Sequence, residues 1–212
     1  MYHGIDTLIL DLGGVLIDVD YAATSRAFTR YGAPDFERSY SKAKQTDLFD
    51  RFEKGFLSPA GFRDEVRELI GAGLDDDAID LCWNAMLGTI PPERMALVEA
   101  LRGRYRLLLL SNTNAIHVPA FEAIIRRDLG IRDFKGRFHG AYYSCELGMR
   151  KPDAEIFHHV ITAHDADPGR TLFIDDSIQH VEGARKAGLN AEHLVLAQED
   201  VIGLSRRLGL IA

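Results

Sequence analysis

Asp11, Ser111, Asn112, Lys151, Asp175 and Asp176 are the residues of this chain whose types suit one reaction between them. A carboxylate can attack phosphorus, and hydroxyl and amide donors steady the oxygens of a transferring phosphoryl group. Adjacent acids such as Asp175 and Asp176 favour a hard cation with oxygen ligands, for which Mg²⁺ is the usual choice. That cation would offset the phosphate charge that otherwise repels Asp11, and Lys151 would hold both the phosphate and the Asp11 carboxylate. Gly13 and Gly14 allow a substrate to come close to the main chain. Taken singly, each piece has an ordinary explanation. Asp175-Asp176 can cap a helix, Ser111-Asn112 can form a turn, and Lys151 before Pro152 can be a solvated lysine.

Their placement makes the case. Thr7-Leu8-Ile9-Leu10 is an apolar run ending at Asp11, as expected of a strand buried on both faces. Ser111-Asn112 follows a strand predicted over 105–110, Lys151 follows one near 141–144, and Asp175-Asp176 follows one at 171–174. Helices are expected between these strands, around 94–101, 119–129 and 153–163, then one ending at Lys186, with a last strand near 193–196. Strands alternating with helices point to an α/β fold, a Rossmann-like parallel sheet sandwiched by helices. In such a sheet all four polar sets gather at the carboxyl edge, where ligands bind.

Residues 19–91 break the alternation with helical signals alone. Helices are expected over 21–31, 36–53, 59–70 and 75–87, the third announced by Ser58-Pro59 as N-cap and first helical residue. The chain therefore reads as a sheet domain of 1–18 and 92–212 with a small helical subdomain of 19–91 inserted. Phe49, Phe52, Phe56, Trp83 and Met86 are expected to form the core of that subdomain rather than line a pocket.

With 46% hydrophobic and 27% charged residues the composition is that of a globular protein. A net charge of −7 without a basic run argues against nucleic acid or an anionic membrane as partner, and leaves a small-molecule phosphate ester as the expected one. Cys82 and Cys145 lie in no metal-binding spacing and are expected as reduced packing residues. The start carries no signal-peptide pattern and no run is long enough to span a membrane, so a cytoplasmic location is expected. Nothing in the sequence fixes the oligomeric state.

The ordered set DLGGV, LSNTN, GMRKP and FIDDS resembles the four motifs of the haloacid dehalogenase superfamily. Within it the wording is similar to the bacterial glucose-1-phosphate phosphatase group and to the N-terminal phosphatase domain of soluble epoxide hydrolases. The resemblance implies that Asp11 is the nucleophile forming an aspartyl-phosphate and that the helical insert is a cap. It also implies metal ligation by Asp11, the Gly13 carbonyl and Asp176, with Asp175 helping directly or through water. A phosphorylated metabolite, such as a hexose 1-phosphate, would be the substrate.

One departure stands out. Most phosphatases of this superfamily carry a second Asp two residues after the nucleophile, as general acid and base, and here that position is Gly13. Asp18, Asp20, His180 or a residue of the cap are the candidates to replace it. The same gap keeps two rival readings in view: a hydrolytic 2-haloacid dehalogenase and a non-catalytic phosphometabolite-binding protein. The Asp175-Asp176 pair weighs against the dehalogenase, which has little use for a metal site.

Overall fold

β1 (Thr7–Leu10) is buried along its whole length, with none of its residues more than 1% exposed. The computed structural model describes residues 4–34, 36 and 47–212 of the chain, and β1 lies at the middle of its sheet. β2 (Arg106–Ser111), β3 (Gly140–Tyr143), β4 (Thr171–Asp175) and β5 (Asn190–His193) complete five parallel strands in the order β3-β2-β1-β4-β5. Side chains alternate across a strand, so the four-leucine run of β2 serves both faces. Leu107 and Leu109 join Leu8, Leu10, Leu172 and Ile174 on one side, while Leu108 and Leu110 join Ile9 and Phe173 on the other. Each fully buried aliphatic side chain contributes roughly 1.5–3 kcal/mol of transfer free energy, which is why these strands need helices on both faces.

α5 (Pro92–Arg102), α6 (His117–Leu129) and α10 (Val201–Arg207) cover the first face through Val98, Leu101, Phe121, Ile125, Val201 and Leu204. α8 (Ala154–Ala163) and α9 (Ile178–Lys186) cover the second through Ile156, Phe157, Val160, Val181 and Ala184. The chain builds β2 and β3 outward on one side of β1, then crosses to build β4 and β5 on the other. That reversal opens a crevice at the carboxyl ends of β1, β2 and β4.

Between β1 and α5 lie α1 (Tyr21–Arg30), α2 (Leu48–Glu53), α3 (Pro59–Ile70) and α4 (Asp76–Asn84). Their starts are set by side-chain caps: Asp20 accepts from the Ala22 amide, Ser58 from Gly61 and Asp75 from Ala78. Phe28, Phe52, Phe62, Val66, Ile79, Cys82 and Trp83 make a core of their own, with Phe52 stacked on Phe62 at 4.0 Å. Ile116, from the segment after β2, enters this core and ties it to the sheet.

Several expectations need correcting. Of the helix expected over 36–53, Leu48–Glu53 is seen as α2, and residues 37–46 lie outside the described residues. The last strand is Asn190–His193, not 193–196; as an edge strand it pairs only with β4 and needs no apolar run. Ser144 starts a short helix, α7 (Ser144–Leu147), instead of ending β3. α10 was not anticipated, although Asp200 caps it by accepting from Gly203. No described helix is long and apolar enough to cross a membrane. Cys82 and Cys145 are both free thiols packed against apolar neighbours.

Candidate active site

Asp11 leaves β1 with its amide still donating to the Ile174 carbonyl of β4 at 3.0 Å, which fixes where its carboxylate emerges. Lys151 reaches the same point from the loop behind α7, turned by Gly148 in the left-handed region. Its ammonium is fully buried and donates to Asp11 Oδ1 at 2.7 Å, Asp175 Oδ2 at 2.7 Å and the Leu110 carbonyl at 3.0 Å. An ammonium has three N–H groups, so each is committed inside the protein. A phosphate oxygen would contact Lys151 by sharing or exchanging one of these N–H groups, with the bond to Asp11 kept.

Asn112 explains the position of the lysine loop. Its side-chain amide donates to the Lys151 carbonyl and its Oδ1 accepts from the Lys151 amide, both at 2.9 Å. The Asn112 side chain thus braces the lysine loop with one of its two N–H groups and its oxygen. Ser144 Oγ takes the Thr113 amide at 2.9 Å, so of the expected phosphate donors in this segment the Ser111 hydroxyl is the least committed, with only a long 3.4 Å contact to the Asn112 carbonyl. Asn114 Oδ1 accepts from the Ile116 and His117 amides and so starts α6.

Asp175 is the last residue of β4 and fully buried. Besides Lys151 it accepts from the Ser177 amide at 2.7 Å and lies 3.1 Å from His180 Nδ1. Asp176 is less buried, and one oxygen each of Asp11, Asp175 and Asp176 lie within 4.8 Å of one another. Gly14 backs Asp176: with φ of +72° it sits where a β-carbon would strike the Asp176 carboxylate. Gly13, by contrast, lines the cavity described below, and a β-carbon there would meet only Val19 Cγ2 at 3.5 Å, an ordinary contact. Gly14→Ala is accordingly expected to displace Asp176 and weaken Mg²⁺ binding by tenfold or more, on the order of 1–2 kcal/mol. Isothermal titration with Mg²⁺ checks this, and unchanged affinity would refute it.

The electrostatics follow from burial. Desolvation pushes Asp11 up to about 7, with Lys151 pulling against it and Asp175 adding to it. Asp175 is also desolvated, but Lys151 and His180 hold it below the usual carboxylate range. Burial works against the Lys151 ammonium too, yet the two carboxylates keep its pKa above that of a free lysine. Desolvation and the neighbouring Asp175 raise Asp176.

Above these groups is a cavity of about 430 Å³, floored by the strand ends and roofed by the inserted helices. Phe49, Asp50 and Glu53 of α2, Trp83 of α4, Met86 and Leu87 line the roof; His117, Arg150 and His180 line it from the sheet side. The aromatic expectation is thus half right. Phe52 is core and Phe49, Trp83 and Met86 are both core and cavity wall, whereas Phe56 is 68% exposed. Asp18 pairs with Arg94 at 2.8 Å and Asp20 with Arg26 at 2.5 Å, and neither lines the cavity. His180 lines it but is tied to Asp175.

Residue-type reasoning overlooked His117 and Arg150. His117 stacks on Trp83 at 5.3 Å, and its Nδ1–H donates to Asn84 Oδ1 at 2.7 Å. Desolvation lowers its pKa to about 3, so the folded protein keeps it neutral. The unfolded chain protonates near 6.5, so this residue's contribution is present above that pH and is lost as pH falls toward 3. Stability is expected to drop by up to about 1.4 kcal/mol per pH unit in that window through His117 alone. Denaturant titrations of wild type and His117→Gln from pH 7 to 4 should show a shallower decline in the variant; parallel curves would refute it.

A carboxylate, a buried lysine and a second carboxylate beneath a covered crevice of a parallel sheet form a candidate active site with a carboxylate at its centre. A family model described as haloacid dehalogenase-like hydrolase matches residues 5–188, and the chain belongs to that family. D-ribitol-5-phosphate phosphatase of Bacteroides thetaiotaomicron is 29% identical over 189 residues, covering 87% of this chain and 89% of the relative. The HAD family enzyme BT-2542 of the same organism, solved in complex with magnesium and inorganic phosphate, superposes with a TM-score of 0.84 at 35% identity, covering 95% of this chain and 99% of that one. A predicted HAD-like family hydrolase from Porphyromonas gingivalis matches at TM-score 0.84 and 30% identity over 97% of this chain and 98% of its own.

Proposed function

We propose that this chain is a Mg²⁺-dependent phosphatase of a small, singly phosphorylated metabolite, a sugar or polyol phosphate, working through an aspartyl-phosphate on Asp11. The observation that carries the reading is the buried Lys151 bridging Asp11 and Asp175, with Asp176 close enough to share a cation with Asp11. The magnesium and phosphate bound by BT-2542 and the substrate of the ribitol phosphate relative support it.

The donor set suits a hard cation: carboxylate oxygens of Asp11 and Asp176, with the Gly13 carbonyl as the expected main-chain ligand. When bound, Mg²⁺ supplies positive charge against the phosphate dianion. Asp175 stands behind Lys151, since both its oxygens already accept hydrogen bonds. Lys151 keeps the Asp11 carboxylate oriented and charged. Ser111 donates to the phosphoryl oxygens, and Asn112 sets the lysine loop that its side chain grips. Asp11 attacks phosphorus, the alcohol departs, and water then releases phosphate from Asp11.

Residues 1–18 and 92–212 form the catalytic body in this reading, and 19–91 the cap that selects the leaving group and excludes water. The roof's Phe49 and Trp83 beside Asp50 suit a hydroxylated leaving group: flat faces against C–H surfaces, a carboxylate against hydroxyls. The test is a panel of phosphate esters, with D-ribitol 5-phosphate and glucose 1- and 6-phosphate side by side, with Mg²⁺ and with EDTA. Hydrolysis lost in EDTA and restored by Mg²⁺ is expected. Halide release from 2-chloropropionate in EDTA would overturn the reading in favour of a dehalogenase, and Mg²⁺-dependent phosphate binding without turnover in favour of a binding protein.

A further inference from the structure

Gly13 leaves the proposed reaction one group short, because an alkoxide departing from phosphorus needs a proton as its bond breaks. Help of that kind is worth roughly 10²- to 10⁴-fold. Among the described residues, the titratable side chains lining the cavity beyond Asp11, Lys151 and Asp176 are Tyr21, Asp50, Glu53, His117, Arg150 and His180. Tyr21 is 65% exposed to bulk water. Asp50 is ion-paired with Lys54 at 3.1 Å and Arg150 at 3.2 Å. His117 is held neutral, His180 is tied to Asp175, and a guanidinium does not give up its proton. Glu53 remains.

We infer, on the phosphatase reading, that Glu53 is the general acid and base of this site, supplied from α2 of the inserted helices in place of the residue absent at position 13. In the first step an Asp11 oxygen bonds to phosphorus, the bond to the ester oxygen breaks with its electron pair going to that oxygen, and the Glu53 carboxyl proton moves onto it. The alcohol leaves and Glu53 is a carboxylate. In the second, Glu53 takes a proton from water as the water oxygen bonds to phosphorus and the Asp11–phosphorus bond breaks. Phosphate departs, and Asp11 and protonated Glu53 are restored.

Three observations support the assignment. Glu53 Oε2 is sealed from solvent, 3.0 Å from Arg150 Nη2 but without hydrogen-bond alignment, while Arg150 Nη1 makes an aligned bond to Asp50. Arg150 is thus shared between Asp50 and Glu53. Glu53 borders the cavity that holds Asp11. The end of α2 is also fixed to the sheet domain. Arg150 binds Asp50 and Glu53, Lys54 lies 3.5 Å from Asp153, and Gly55 packs so tightly on the Cys145 carbonyl that a β-carbon would not fit. The charged and titratable groups around the carboxyl are Arg150 and Lys151 from the lysine loop, Asp50 from its own helix and the Cys145 thiol of α7. Burial outweighs the two cations and raises its pKa, the direction a proton donor requires.

The experiment compares kcat/KM for p-nitrophenyl phosphate with that for whichever of D-ribitol 5-phosphate and glucose 6-phosphate the wild type hydrolyses, in Mg²⁺. Nitrophenolate leaves without a proton, and kcat/KM reports only steps up to formation of the phosphoenzyme. Glu53→Gln is expected to lower kcat/KM by about 10²- to 10³-fold for the alkyl ester and by less than about fivefold for the aryl ester. The variant should also release a burst of nitrophenolate equal to the enzyme, because phosphoenzyme hydrolysis has lost its base. Equal losses on both esters, or none on the alkyl ester, would overturn the assignment. Should the variant fail to fold, Arg150→Gln gives a second readout: removing the cation beside Glu53 is expected to move the alkaline limb of the alkyl-ester profile to higher pH, and an unmoved limb overturns the inference. Hydrolysis of neither ester by the wild type would instead defeat the phosphatase reading, and this inference with it.

Discussion

Asp11→Asn is expected to lower kcat/KM by about 10⁴-fold or more while leaving the fold intact. The amide has the shape of the carboxylate and keeps an oxygen for Lys151 Nζ to donate to, but it does not form the acyl phosphate. Little stability should be lost, because burial already disfavours the Asp11 charge and an amide removes that cost. The thermal midpoint is expected to stay within about 3 °C of wild type, roughly 1 kcal/mol for a chain of this size. Two measurements check this, a thermal melt and turnover of p-nitrophenyl phosphate. The diagnostic pattern is lost turnover with a retained melt. Retention of more than about a tenth of wild-type turnover would remove Asp11 as the nucleophile, and lost turnover together with a collapsed melt would make it a structural residue.

Lys151→Met should do the reverse, harming stability and activity together. Methionine fills a similar volume but leaves Asp11 and Asp175 buried without the ammonium that bridges them at 2.7 Å each. Breaking a buried ion pair by removing one partner costs about 3–5 kcal/mol, which corresponds to a fall of roughly 10 °C in the melting midpoint. Turnover is expected to drop about 10³-fold or more, since Asp11 loses both its orientation and the charge that keeps it ionised. Lys151→Met with Asp175→Asn should recover part of the stability, because one uncompensated charge is gone, and none of the activity. If the single variant melts with wild type, the buried lysine contributes no net stability. If the double variant melts no higher than the single, the loss lies in packing rather than charge.

Much of this was legible in the chain. A run such as Thr7–Leu10 admits no polar side, so it must be covered twice, and that requirement alone points to a parallel sheet under helices. Ser58-Pro59 and Gly71 mark both ends of α3 because capping is local chemistry, read within four residues of itself. The strand ends delivered Asp11, Ser111 and Asp175 to one edge for the same reason: a parallel sheet orders its carboxyl ends whatever the intervening loops do. β5 was misplaced because an edge strand with one partner has no need of the apolar pattern that betrays a central one. Glu53 and Arg150 carried no signal, since an acid and a base about a hundred positions apart look like solvated surface until the fold sets them 3.0 Å from each other.

The chain by itself determined which chemical groups exist and on which strands they ride, because alternation, capping and strand termini depend on near neighbours. Only the tertiary structure decided what each group is free to do. It committed all three N–H groups of Lys151 and turned the Asn112 side chain to bracing a loop. It kept His117 neutral beneath Trp83 and brought a glutamate from an inserted helix to the cavity wall. The physical reason is that desolvation and hydrogen-bond saturation depend on everything packed around an atom, and most of those neighbours lie far away along the chain.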